Sequence, residues 1–165
     1  MSELTFKIIE CPRDAMQGRK DFIPTDKKID YLNRLLTVGF EAIDCGSFVS
    51  PKAIPQMADT KEVLDNIDKT NSKSKLSVVV ANKSGAMKAA EHEKVDIIGF
   101  PFSISENFQQ FNTNKSREEA FEMVKEINQI SNDNGKHMLI YLSMAFGNPY
   151  GETWNCLLYT SPSPR

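Results

Sequence analysis

The sequence predicts an α/β fold, an incomplete (β/α)8 TIM barrel of about five parallel strands and four to five helices. Three observations carry that reading. Short apolar runs alternate strictly with longer amphipathic stretches, the pattern of strands that cross over to helices. No Gly-x-Gly-x-x-Gly follows the first strand, which argues against a doubly wound dinucleotide fold. Polar and unusual residues gather behind the C-terminal ends of strands one, two, four and five, where barrel sites are built.

The first strand is expected over residues 6–11, a β-prone run that ends at Pro12, and a polar loop follows it. Pro24 and Thr25 open a helix over 25–38, in which Ile29, Leu32, Leu35 and Leu36 form one stripe and Gly39 marks the end. The second strand spans 40–45 and is closed by Asp44 and Cys45. A Ser- and Pro-rich loop, 46–52, comes next. Asp59 with Glu62 has the spacing of a capping box for a helix carrying Val63, Leu64 and Ile67.

Residues 76–81 form the third strand, apolar on both faces as expected between layers. Asn82 caps an Ala-rich helix over 84–92. The fourth strand is 95–100, with Pro101-Phe102-Ser103 leading into a loop and a short helix near 106–111. Ser116 and Glu119 form the clearest capping box, opening a helix that runs to Asn134 before Gly135. His137–Ser143 is the fifth strand and 145–151 its loop. The segment 156–165 fits neither element type and reads as a non-native tail, so residues 1–155 are taken as the N-terminal part of the barrel domain.

Composition narrows the function classes. The 165 residues carry 20 Lys+Arg against 22 Asp+Glu, a formal charge of −2. Phosphate-backbone affinity needs concentrated positive charge, so no nucleic-acid partner is expected. Without an apolar run of about 18 residues, no membrane span is expected either. Residues 1–7 have no signal or transit pattern, and Cys11, Cys45 and Cys156 are odd in number and widely spaced. Free thiols in a cytoplasmic setting follow.

Arg13 and Asp14 directly follow an apolar strand, with Gln17 three residues beyond Asp14. A carboxylate there can ligate a hard divalent ion, and the neighbouring guanidinium can hold a carbonyl oxygen as negative charge develops on it. On residue types alone, a local ion pair or helix cap is the plainer account. Asp44 reaches the same mouth, while Ser47, Ser50 and Lys52 could meet an anionic ligand, although Ser-Pro turns are commonly structural. His92 and His137 read as solvated or structural, and Cys11 and Cys45 as small buried hydrophobes.

The runs Ile9-Glu10-Cys11-Pro12-Arg13-Asp14-Ala15-Met16-Gln17 and Ser47-Phe48-Val49-Ser50-Pro51-Lys52-Ala53-Ile54-Pro55-Gln56-Met57, with Ala145-Phe146-Gly147-Asn148-Pro149-Tyr150-Gly151, resemble the hydroxymethylglutaryl-CoA lyases. These belong to the metal-dependent lyases and Claisen-type synthases on a (β/α)8 barrel. Arg-Asp-x-x-Gln is similar across that superfamily, including the isopropylmalate and homocitrate synthases. The Ser47 to Met57 run is narrower and resembles the lyase branch.

The resemblance implies retro-Claisen cleavage of 3-hydroxy-3-methylglutaryl-CoA, an acyl-CoA substrate, to acetyl-CoA and acetoacetate with Mg²⁺ or Mn²⁺. It also implies Asp14 as a metal ligand, Arg13 as the catalytic cation on the thioester oxygen, and Arg13, Gln17, Asp44 and Ser47 as the substrate-binding set. Asp44 stands where the lyase branch usually has Glu, and Asn148 where some members have Cys. The family's His-x-His pair, Asn ligand and catalytic-Cys loop have no counterpart in this sequence. The 165 residues are therefore expected to hold a cation weakly, not to turn over, and to be unstable or self-associating, as open sheet edges imply. A related aldolase or synthase, or a non-catalytic fragment, are the alternatives.

Overall fold

A computed structural model describes residues 6–153. Its elements are β1 (Ile9–Glu10), α1 (Pro12–Gln17), α2 (Thr25–Leu36), β2 (Ala42–Ser47), a 3₁₀ turn (Pro55–Met57), α3 (Thr60–Asn66), β3 (Lys75–Val79), α4 (Lys83–Glu91), β4 (Ile97–Ser103), α5 (Glu106–Thr113), α6 (Arg117–Asp133) and β5 (His137–Ser143). The five strands pair in parallel in the order β1-β2-β3-β4-β5. This is part of a TIM barrel, an α/β half-cylinder as the alternation predicts. The tail reading on 156–165, with Cys156, falls outside the described residues.

Strand parity divides the sheet into two faces. Ile43, Leu76, Val78, Ile98 and Phe100 pack against Leu32, Leu36, Leu64, Ala86, Ala89, Ala120 and Ile127 of the helices, forming one apolar core. The alternate positions, Asp44 and Ser77 in mutual register, Gly99, and Tyr141 opposite Pro101, face the concave side. β5 is an edge: its outward Ile140 and Leu142 remain exposed, as do Ile8 and Ile9 at the other edge.

Several elements differ from expectation, each for a physical reason. The first strand pairs only through Ile9–Glu10 instead of 6–11, and Pro12 opens a helix in place of the expected polar loop. Proline suits a first helical position because its missing N–H would be unpaired there anyway. β2 continues to Ser47, so Asp44 lies within the strand instead of closing it. β4 likewise pairs through Pro101, Phe102 and Ser103, the tail expected to lead into the loop, so the strand ends at Ser103 instead of Phe100. β3 pairs with β4 only as far as Gly99, so beyond that point Pro101 withholds no ladder donor from β3.

The caps are mixed. Asn82 accepts the Gly85 N–H at 2.9 Å, and Ser116 and Glu119 exchange both bonds of a capping box. Asp59 forms no cap; its carboxylate accepts from Lys28 and Thr25 instead.

Candidate active site

Because β1 runs directly into α1, Arg13 is carried to the concave face over β2. Its Nε donates to Asp44 Oδ2 at 3.1 Å and Oδ1 at 3.3 Å, and its Nη2 donates to Asp44 Oδ2 at 2.6 Å. The opposite side of the guanidinium, Nη1, donates to Gln17 Oε1 at 2.9 Å and to Asp14 Oδ1 at 3.3 Å. Gln17 Nε2 donates to that same Asp14 oxygen at 2.8 Å. The helical spacing of residues 13 and 17 places both side chains on one face, as an i, i+4 pair requires.

The two carboxylates have different surroundings. Asp44 is fully buried, whereas the Asp14 side chain is 66% exposed. Burial pushes the Asp44 carboxyl above its ordinary range, with the Arg13 guanidinium opposing it. Burial also works against the Arg13 charge, but the paired Asp44 outweighs it and holds that guanidinium protonated.

Two residues that sequence reasoning missed complete the cluster. Tyr141 Oη reaches Asp44 Oδ2 at 3.4 Å from the far strand of the sheet. Burial, and then the Asp44 charge, pushes its phenol up to about 12. Ser77, in register with Asp44, is buried, and its side chain lies against the Tyr141 hydroxyl. The available signal was parity: Tyr141 alternates with the outward Ile140 and Leu142 along β5.

The remaining candidates lie apart from this cluster. Ser47 Oγ donates to Val79 O on β3 at 3.1 Å and accepts Val49 N–H at 3.1 Å, so its hydroxyl ties β3 to the start of the loop after β2. Ser50 Oγ accepts Lys52 N–H, and Lys52 is exposed. Cys45 is buried, with Sγ donating to Ser77 O, and burial pushes its thiol up. Cys11 is exposed, contrary to the buried reading, and its thiol too is raised, by partial burial and then by Asp44.

His92 is bonded through Nε2 to Asp65 Oδ1 at 3.0 Å at the end of α4, the structural one of its two expected roles. A groove of about 710 Å³ passes that histidine, Lys88, Phe48 and Met57; of the sequence-assigned site residues only Ser47 borders it. Among the described residues no three His, Cys, Asp or Glu side chains converge as a metal cluster. None of the described helices is long and apolar enough to cross a membrane.

A family model described as HMGL-like matches residues 6–155. The chain belongs to the HMGL-like family. This HMGL-like chain is 36% identical over 147 residues to the mitochondrial hydroxymethylglutaryl-CoA lyase of Mus musculus, covering 87% of itself and 44% of that protein. It is also 36% identical to the cytoplasmic 3-hydroxy-3-methylglutaryl-CoA lyase of Homo sapiens, covering 39% of it.

Among solved structures it matches the HMG-CoA lyase of Bacillus subtilis with a TM-score of 0.87 and 30% identity, covering 93% of this chain and 51% of that one. The HMG-CoA lyase of Acinetobacter baumannii, in complex with coenzyme A and 3-methylmalate, matches with a TM-score of 0.84 and 30% identity, over 93% and 50%. The HMGL-like chain thus spans about half the length of the solved relatives and less than half of the curated ones.

Proposed function

We propose that this chain carries the N-terminal part, residues 1–155, of a hydroxymethylglutaryl-CoA lyase that cleaves 3-hydroxy-3-methylglutaryl-CoA to acetyl-CoA and acetoacetate, with 156–165 outside the domain. The observation that carries the reading is one guanidinium, Arg13, spanning a buried and an exposed carboxylate at the concave face. Its support is the family match and the lyases named among the relatives.

In a retro-Claisen cleavage the substrate's tertiary hydroxyl loses a proton, and its electrons form the acetoacetate carbonyl. The carbon–carbon bond breaks, and the released pair becomes the thioester enolate, which then takes up a proton. Arg13 faces that developing charge as the catalytic cation. Two of the three N–H directions on Nε and Nη2 are committed to Asp44, leaving one on Nη2 for a thioester oxygen. Asp44 fixes the guanidinium plane, with Tyr141 donating to the carboxylate from the far side. Gln17 holds one oxygen of Asp14, so the other is turned outward. Ser47 contributes to substrate binding by fixing the first turn of its loop.

Asp14 suits a hard cation as a single oxygen donor: it is exposed, and one oxygen carries both of its described bonds. A divalent cation, Mg²⁺ or Mn²⁺, would supply Lewis-acid polarisation of the substrate's hydroxyl and carboxylate oxygens. With one ligand among the described residues, this chain holds the ion weakly and does not turn over. The relatives include cytoplasmic and mitochondrial proteins; the free Cys11 and Cys45 fit a reducing compartment, and the cytoplasm is the one we propose.

Acetoacetate and acetyl-CoA release from 3-hydroxy-3-methylglutaryl-CoA with Mn²⁺ tests the reading, on this chain and on the reading frame extended past Asn155. The extended protein should release both products and the 165-residue chain neither. Condensation without cleavage by the extended protein would assign a related synthase instead.

A further inference from the structure

Lys28 is a charged residue on α2 that is only 2% exposed, and the chemistry above does not use it. Its Nζ donates to both oxygens of Asp59, at 2.7 and 2.9 Å, and to the backbone carbonyl of Gln56, and it lies 4.1 Å from the Phe22 ring centre. Replacing such a buried ion pair with apolar groups is often neutral or stabilising, so stability alone does not account for it.

What the pair does is geometric. Gln56, itself buried, turns its amide into the segment behind α1: Oε1 accepts Ile23 N–H at 2.8 Å, and Nε2 donates to Asp21 O at 2.9 Å and Arg19 O at 3.4 Å. Thr25 Oγ1 adds a bond to Asp59 at 2.9 Å. The loop after α1 and the loop after β2 are thereby fastened to one ammonium group.

α1 needs that support. It has six residues and no side-chain bond at its N-cap, too little to persist as an isolated helix. It rests on β2 and on the 3₁₀ turn that contains Gln56. We infer that Gln56, fixed by Lys28 and Asp59, is a positioning residue that sets the placement of the α1 helix and through it the Arg13 guanidinium over Asp44. The functional meaning rests on the lyase reading of Arg13, but the placement itself does not.

Amide hydrogen exchange and the Arg13 Nε–H resonance test this on the 165-residue chain. In Gln56→Met and Lys28→Met, exchange at Ala15, Gln17 and Ile23 should accelerate about tenfold or more and the Arg13 Nε–H signal should shift or broaden, while Val78 and Val80 stay unchanged. Ile127→Val, a truncation in α6 remote from the mouth, is the control and should leave Arg13 unmoved. Release of Ile23 alone, with Ala15, Gln17 and Arg13 unaltered, overturns the inference, as does uniform acceleration like that of the control. If both variants fail to fold, the unmodified chain decides: Ala15 and Ile23 should open together with one urea dependence, and separate openings overturn the inference. Failure of the lyase reading would show in product assays and leave these exchange rates untouched.

Discussion

Gly99 lies against the ring of Tyr141: a Cβ on residue 99 would stand 2.8 Å from Tyr141 Cε2 and 3.5 Å from its hydroxyl. The missing side chain on β4 is what lets the phenol cross from β5 toward Asp44 on β2. Gly99→Ala should therefore push the ring away, lose the Tyr141–Asp44 contact and cost about 1–3 kcal/mol, the usual range for overpacking. Urea unfolding gives the cost, and the Tyr141 ring resonances report the displacement.

Alkaline titration should single out Tyr141. Its phenol keeps its proton up to about 12, against an ordinary 10.0. The native state then binds a proton that the unfolded chain has lost, so stability falls as pH rises from 10.0 toward 12. Absorbance at the tyrosinate band should show a late step that Tyr141→Phe removes. Persistence of that step in the variant would assign it elsewhere.

Asp44 gives a second pH signature, at the acid end. Its folded value stands above the ordinary 3.8, so the native state holds this proton more firmly than the unfolded chain does. Its favourable contribution is complete below 3.8 and is lost as pH rises through the elevated value. Relative to Asp44→Asn, the unaltered chain should lose stability with rising pH across that window, in urea midpoints read at successive pH values. A difference that grows in the opposite sense contradicts the assignment.

Arg13→Met should be costly, because it strands a fully buried carboxylate. Breaking one side of a buried ion pair typically costs about 3–5 kcal/mol. The same change should raise the Asp44 carboxyl further, since the guanidinium is the group opposing burial there. Urea unfolding and carboxyl ¹³C titration read the two effects separately.

What the sequence revealed was local. Asn82 and the Ser116–Glu119 box were legible because a cap is set by residues three apart, and the alternation of runs sufficed for the fold. Arg13, Asp14 and Gln17 were legible because five consecutive positions bring them together on about one helix turn. Asp59 misled because its spacing to Glu62 fits a cap, while Lys28, 31 positions away, holds the carboxylate. Tyr141 and Ser77 were hidden for the same reason, since their proximity to Asp44 exists only once strands are laid side by side. The continuation of β4 past Phe100 to Ser103 was not legible, because the sequence does not show that β3 stops pairing at Gly99.

The spatial order of the strands repeats the order in which the ribosome makes them. Each new strand therefore finds its neighbour already synthesised, and no segment must wait for a distant one before it can pair. During translation the edge at β1 stays fixed while the opposite seam advances with each new strand, and vulnerability to clumping moves along with that advancing seam.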